Sequence, residues 1–330
     1  MEERLITLLQ QEFPICQRPF AKLAAQLETS EDKVLDIYKK FKDEGIIRQT
    51  SAIFDTKSLG YSSSLVAFKV EDIESSATFI NTHPGVSHNY ERDHDFNLWF
   101  TIAVAPDSKL GLEKTVEVLA KRSDAQEYII LPTKKMFKIK VQLDPRGMGK
   151  KKEKVEKKKK VSFDLTPLHY NLIKLLQEDI DAVHEPFAKV VEELGIDYDT
   201  LAQEAKRLQE GGYMRRFATI LRHRKAGFSA NAMVVWDVDE KKAEEIGEKV
   251  AAYKAVSHCY LRPTYPNWPY SLFSMVHGKS KEEVEEVVEE IAKEIKPRDY
   301  RYLYSTREFK KERIKYFSDA FYEWERRYGG

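Results

Sequence analysis

Val86-Ser87-His88-Asn89-Tyr90-Glu91-Arg92 is the stretch on which the reading of this chain turns, because it returns as Val256-Ser257-His258-Cys259-Tyr260-Leu261-Arg262. Working outward, Leu5-Ile6-Thr7-Leu8-Leu9-Gln10 returns as Leu172-Ile173-Lys174-Leu175-Leu176-Gln177, and Pro19-Phe20-Ala21-Lys22 as Pro186-Phe187-Ala188-Lys189. Gly45, Arg48, Ile53, Gly60 and Ser62 return as Gly212, Arg215, Ile220, Gly227 and Ser229. A repeat unit of half the chain is a duplicated module and not a solenoid turn. Two such modules predict an intramolecular pseudo-dimer, with higher association left open, whose halves are free to differ and so suit an asymmetric ligand.

Each copy opens with helical periodicity, then Pro-Phe-Ala-Lys at the start of a second helix, then a third helix from Ser30 or Asp197 to Gly45 or Gly211-Gly212. Ser and Asp are good helix N-caps and glycine a good stop. With the extended segments Ile46-Ile47-Arg48 and Tyr213-Met214-Arg215 behind them, these read as winged helix-turn-helix units. The first copy then predicts strands near 63–70, 86–93, 97–104 and 126–132 and helices near 72–82 and 107–121. The second predicts strands near 230–237, 256–263, 270–277 and 299–305 and helices near 239–252 and 280–295. That βαββαβ order is ferredoxin-like, so the fold class is α+β, a tandem duplication of winged helix-turn-helix plus ferredoxin-like module. The divisions are 1–62 and 63–149 in the first copy, a charged linker at 150–161, 162–229 and 230–306 in the second copy, and a C-terminal helix at 307–330. The lysine-rich linker is a self-repelling, solvated tether.

With 330 residues, 42% of them hydrophobic, the chain can bury more than one core. No apolar run reaches bilayer-spanning length, and the N-terminus begins an amphipathic pattern instead of a signal peptide. Cys16 and Cys259 have neither metal-site spacing nor disulfide density, so the expected setting is the cytoplasm, with no membrane partner. A formal net charge of +1 argues against general nucleic-acid binding. There is no Walker loop, dinucleotide fingerprint, Cys-x-x-Cys, His-Glu-x-x-His or nucleophile elbow.

The strand period of two sets His88, Tyr90 and Arg92 on one face, and His258, Tyr260 and Arg262 on its counterpart. Imidazole, phenol and guanidinium together can bind carboxylates, donate a proton or ligate iron, although each also serves as a half-buried structural group. If the two sheets pack face to face, these six should line a common cavity. The stretch from Pro263 to Tyr270, with Tyr265, Trp268 and Tyr270, reads as a rigid aromatic wall for a planar ligand, as does Trp99 in the first copy; packing into a core is the plain alternative. Arg215, Arg216, Arg222, His223, Arg224 and Lys225 give the second copy a density of cations that suits a polyanion or a solvated surface.

In architecture both halves resemble the Lrp/AsnC regulators. The strings Val86–Arg92, Asn97-Leu98-Trp99-Phe100, Arg215-Arg216-Phe217-Ala218, Leu221-Arg222-His223-Arg224, Gly227-Phe228-Ser229-Ala230-Asn231 and Ser257 to Tyr270 resemble the siroheme decarboxylases, here as two homologous subunits fused head to tail. The resemblance implies conversion of siroheme to 12,18-didecarboxysiroheme, two acetate side chains becoming methyl groups, on a route to heme or heme d1. It implies no cofactor beyond the iron of the substrate, since the macrocycle can itself accept electrons. It makes His258, His88, Tyr260 and Tyr90 the catalytic candidates, with His258 and His223 as candidate iron ligands. Arg48, Arg92, Arg215, Arg216, Arg222, His223, Arg224 and Arg262 become candidate carboxylate clamps, and the second copy the expected main reaction centre. Two other classes stay open: a DNA-binding regulator, disfavoured by the acidic Ser30-Glu31-Asp32 and Asp197-Tyr198-Asp199 helix starts, and a heme or siroheme carrier without turnover.

Overall fold

Side chains at the two predicted caps start the third helix of each copy. Ser30 Oγ accepts from the Lys33 amide and Asp197 Oδ1 from the Thr200 amide, so each satisfies a donor the helix leaves open. Gly45 and Gly212, with φ of +68° and +74°, turn the chain after these helices in the left-handed region that side chains avoid. The computed structural model describes residues 1–139, 163–222 and 230–329. The predicted linker at 150–161 and the candidates His223 and Arg224 lie outside the described residues.

The first copy runs α1 (Glu2–Gln11), α2 (Pro19–Gln26), α3 (Glu31–Asp43), β1 (Ile47–Phe54), β2 (Ser62–Lys69), α4 (Ile73–Asn81), β3 (Val86–Arg92), β4 (Leu98–Val104), α5 (Gly111–Arg122), β5 (Glu127–Pro132) and β6 (Lys135–Ile139). The second runs α6 (Pro167–Leu176), α7 (Ala188–Leu194), α8 (Tyr198–Glu210), β7 (Met214–Leu221), β8 (Ala230–Asp237), α9 (Ala243–Ala252), β9 (Val256–Leu261), β10 (Leu272–Gly278), α10 (Lys281–Ile295), β11 (Asp299–Leu303), β12 (Ser305–Lys311) and α11 (Asp319–Tyr328). The tandem helix-turn-helix plus βαββαβ reading holds. Three features depart from the sequence reading, and all three join the copies.

First, β1 and β7 do not form separate wings but pair with each other, antiparallel, in one ribbon. Second, each ferredoxin-like sheet has a fifth strand supplied by the other copy: the orders are β12-β3-β4-β2-β5 and β11-β8-β10-β9-β6. Third, the stretch from Arg307, expected to be helical, begins as β12, and the helix starts only at Asp319. The exchanged strands are fastened alike. Lys138 Nζ donates to Tyr253 O at the end of α9, and Lys310 Nζ to Asn81 O at the end of α4, where a cation also meets the negative end of the helix dipole.

The two sheets pack face to face through a core that draws on both copies: Leu65, Ala67, Trp99, Ile129 and Leu131 against Met233, Val235, Phe273 and Leu303, with Trp268 fully buried among them. The helix-turn-helix units also close on each other. Gln209 of α8 bonds Glu12, and Ala202, Ala205, Lys206 and Gln209 face α1 and α2 across a cavity of about 620 Å³. At the start of α3, Glu31 is held by Arg18, and Asp32 by His184 of the second copy at 2.8 Å.

Candidate functional site

His88 and His258 sit in equivalent places, each near one end of the strand that receives the exchanged neighbour. Across that neighbour, His88 and Tyr90 face Lys311 and Glu308, while His258 and Tyr260 face Ile139 and Met136. Directly opposed residues share a sheet face, so these pairs line the same surfaces as the histidines. A bulge in each exchanged strand turns the intervening pair, Phe309-Lys310 or Phe137-Lys138, toward the helices.

At His258, Nδ1 lies 2.7 Å from Ser257 Oγ, which lies 2.7 Å from His277 Nε2. The hydroxyl has one hydrogen, so it can donate to one imidazole while the other donates to it. Reversing that chain moves a proton between the rings. Burial pulls both imidazoles below their ordinary range, and for His277, to about 4, His258 adds to the effect. Both are therefore neutral at neutral pH. The Tyr260 phenol is pushed up by burial, partly offset by Arg262 and Arg215, and so keeps its proton. Arg215 itself is held by Asp55 at 2.8 Å. The rim is apolar, and Met136 and Ile139 remain 54% and 38% exposed.

At His88 the hydroxyl chain runs elsewhere. Ser87 Oγ lies 3.0 Å from His88 Nδ1 and 2.7 Å from Thr101 Oγ1, so the second imidazole is replaced by a group that does not titrate. Burial lowers the His88 pKa, Lys311 and Arg48 lower it further, and Glu308 opposes them. Burial and Glu308 push the Tyr90 phenol up to about 12. Arg48 reaches this edge by donating to Lys311 O at 3.1 Å.

Of the six side chains, His88 and Tyr90 thus sit beside β12 and His258 and Tyr260 beside β6. Arg92 and Arg262 run into the sandwich, where each donates to a carbonyl of the other copy, Leu303 O and Leu131 O respectively. They also lie over Tyr90 and over Tyr260 and Phe273. Burial lowers both guanidiniums to about 10. These two arginines are cross-copy pins, which corrects their reading as clamps. The expected aromatic wall is likewise core: Trp99 and Trp268 are 1% and 0% exposed, Tyr270 donates to Asp299, and Tyr265 to Ile130 O. In this loop Trp268 and Tyr270 turn into the core while Pro266 and Pro269 stay exposed. Arg216 lies on β7 opposite Ile53, and Arg222 lies over the turn at Gly45. Ser257, His277, Lys311 and Arg313 were not singled out from sequence. The first two stood within the second copy's quoted repeat and strand, and only their hydrogen bonds join them.

Comparison with known proteins gives a consistent result. A family profile described as AsnC-like ligand binding domain matches residues 58–138 and 225–310, and one described as siroheme decarboxylase NirDL-like HTH domain matches residues 2–48. A siroheme decarboxylase of Hydrogenobacter thermophilus is 41% identical over 98% of this chain and 96% of its own. A siroheme decarboxylase NirDL subunit of Paracoccus denitrificans is 30% identical over 94% of this chain and 95% of its own. The crystal structure of a siroheme decarboxylase NirDL in complex with an iron-uroporphyrin III analogue superposes with a TM-score of 0.79 at 36% identity, covering 99% of this chain and 98% of that one.

Proposed function

The chain belongs to the siroheme decarboxylase family and is a carboxy-lyase acting on siroheme, and we propose that its reaction centre is built on His258 of the second copy. Each step converts an acetate arm into a methyl group: the bond between methylene carbon and carboxylate breaks, CO2 leaves, and the carbon takes up one proton. The protein must therefore deliver one proton per CO2 while keeping water from the reacting carbon. The observation that carries the assignment is the chain His258–Ser257–His277, which the first copy lacks. With Nδ1 accepting from Ser257, the Nε2–H of neutral His258 is the proton left for the substrate carbon; as it leaves, Nδ1 takes the Ser257 proton, Ser257 takes the Nε2 proton of His277, and His277 takes one from water at its other nitrogen, so both rings end neutral. The phenol of Tyr260, which holds its proton, serves as a hydrogen-bond donor toward a carboxylate. Arg215, oriented by Asp55, is the nearest candidate clamp, and Met136 and Ile139 offer apolar contact to a macrocycle. The reaction needs no cofactor besides the iron that the substrate carries, and the setting we assign is the cytoplasm.

The test is anaerobic incubation of the purified protein with siroheme, followed by mass spectrometry of the tetrapyrrole. Removal of a positioned acid costs roughly 10²–10⁴-fold, so His258→Ala should lose at least about a hundredfold in CO2 release. His277→Gln, which keeps a hydrogen bond but cannot relay a proton, should fall less and change the pH profile. His88→Ala should retain turnover within about tenfold of the parent. Equal loss in His258→Ala and His88→Ala would remove the asymmetry.

A further inference from the structure

We infer that the surface beside His88 is a carboxylate-binding site set apart from the reaction centre by Lys311 on the exchanged strand and Arg313 just beyond it, joined by Arg48 and Arg216, where the positions corresponding to the first two are Ile139 and, in sequence, Val141. This deepens the reading above and rests on the ligand being a polycarboxylate tetrapyrrole. The pseudo-twofold relation makes the comparison strict. Position for position, Glu308 and Lys311 correspond to Met136 and Ile139, and Arg313, two residues beyond, corresponds to Val141 in sequence. Duplicated strands that share a bulge and a lysine fastening thus carry an apolar pair on the open face of one and a charged pair on that of the other.

The cations converge without a matching set of anions. Arg48 donates to Lys311 O. The Arg313 guanidinium is crowded by neighbouring protein and by the like charges of Arg48 and Arg216, which together hold its pKa below the ordinary range while Tyr316 opposes them. Glu308 pairs with Lys311 at 3.8 Å, leaving three guanidiniums in excess. Among the described residues, no carboxylate lies within ion-pair distance of those three. The like charges of Arg48 and Arg216 act on Arg313, and an anion that bridges Arg313 to either of them relieves the repulsion while accepting paired hydrogen bonds. A ligand with several carboxylates on flexible arms meets that requirement better than a single small anion. Among the described residues, Ser87 bonds Thr101 and not a second imidazole, which fits a site that holds carboxylates without removing them.

The test uses the full chain and two iron porphyrins that differ in carboxylate number, the octacarboxylate iron uroporphyrin III and the dicarboxylate iron deuteroporphyrin, with affinity read by Soret titration. Lys311→Ile/Arg313→Val, which installs the residue types of the other copy, removes two charge-assisted contacts. About tenfold weaker binding of the octacarboxylate is expected, with binding of the dicarboxylate changed less than about twofold. Unchanged octacarboxylate affinity, or equal losses for both porphyrins, would overturn the assignment. Should the double variant fail to fold, Lys311→Gln alone carries the same comparison with about a threefold loss. Because affinity is read without turnover, retained CO2 release in His258→Ala would sink the reaction-centre reading and leave this result standing.

Discussion

Gly247 is the position from which the strand exchange can be tested most directly. It lies in α9 of the second copy, and a Cβ built there would sit 2.3 and 2.4 Å from two ring atoms of Phe137, which arrives on β6 from the first copy. Real carbon contacts do not approach so closely, so Gly247→Ala must push the ring away and strain β6. Overpacking of this kind costs about 1–3 kcal/mol, while alanine in a helix interior returns about 1 kcal/mol. The single variant should therefore lose about 1 kcal/mol. Phe137→Ala removes a half-buried ring, worth about 2 kcal/mol against the 3–5 kcal/mol of a fully buried one. In the double variant the new methyl has room and the helix gain is kept, so the loss should be about 1 kcal/mol instead of the additive 3. That is a coupling of about 2 kcal/mol between residues of different copies. Urea unfolding of the four proteins measures it, and additivity within about 0.5 kcal/mol would refute the placement of β6 on α9. Since β6 also carries Met136 and Ile139 opposite Tyr260 and His258, the Gly247→Ala variant should lose decarboxylase activity that Phe137→Ala/Gly247→Ala partly recovers.

Acid should weaken the fold through its buried imidazoles. His83 is fully buried, accepts from the Gly85 amide through Nδ1, and is held down to about 3 by burial and then by Lys310. Its folded pKa lies below the ordinary 6.5, so the unfolded chain binds more protons. The stabilisation is fully present above about pH 6.5 and is lost as the pH falls toward 3. Between pH 7 and 4.5 the parent should lose roughly 2–3 kcal/mol more than His83→Asn, and parallel pH profiles of unfolding would contradict this. Specific DNA binding is not expected at about 150 mM salt, because the start of α3 is acidic and paired with Arg18 and His184 while α8 faces the first copy. A sequence-dependent band shift at that salt would restore the regulator reading.

Local order was legible in the sequence, and the links between copies were not. Ser30, Asp197, Gly45 and Gly212 act through their nearest neighbours, so the helices of both helix-turn-helix units could be read directly. The exchanged strands could not. Their bulges place Met136 and Ile139 on one face and Phe137 and Lys138 on the other, which destroys the alternation that identifies a strand. β12 shares the flaw and runs toward a helical pattern that absorbed it. Pairing of β1 with β7 joins distant segments, and residue period carries no information about which strand meets which. In the candidate site, the histidines were visible because they recur. Arg92 and Arg262 recur as well, yet for a structural reason, since each pins the opposite copy. Recurrence marks what the pseudo-twofold frame requires, and chemistry specific to one cleft has to be sought where the copies differ.

That rule follows from the exchange itself. Each cleft has its histidine on a strand of one copy and its open edge on a strand of the other, so a substitution in β6 alters the surroundings of His258 and one in β12 those of His88. The strands that carry the histidines can then keep the Ser-His-x-Tyr-x-Arg pattern that the interface needs, while the donated edges change freely on their open face. The contrast of Ile139 with Lys311 is divergence of this kind, while that of His277 with Ala103, on β10 and β4, lies within each copy itself. Among the described residues, one edge has become apolar beside a pair of imidazoles joined through Ser257, the other charged beside His88. A substrate with a flat apolar ring and many carboxylates has use for both surfaces, and a symmetric dimer of one copy would offer the same surface twice.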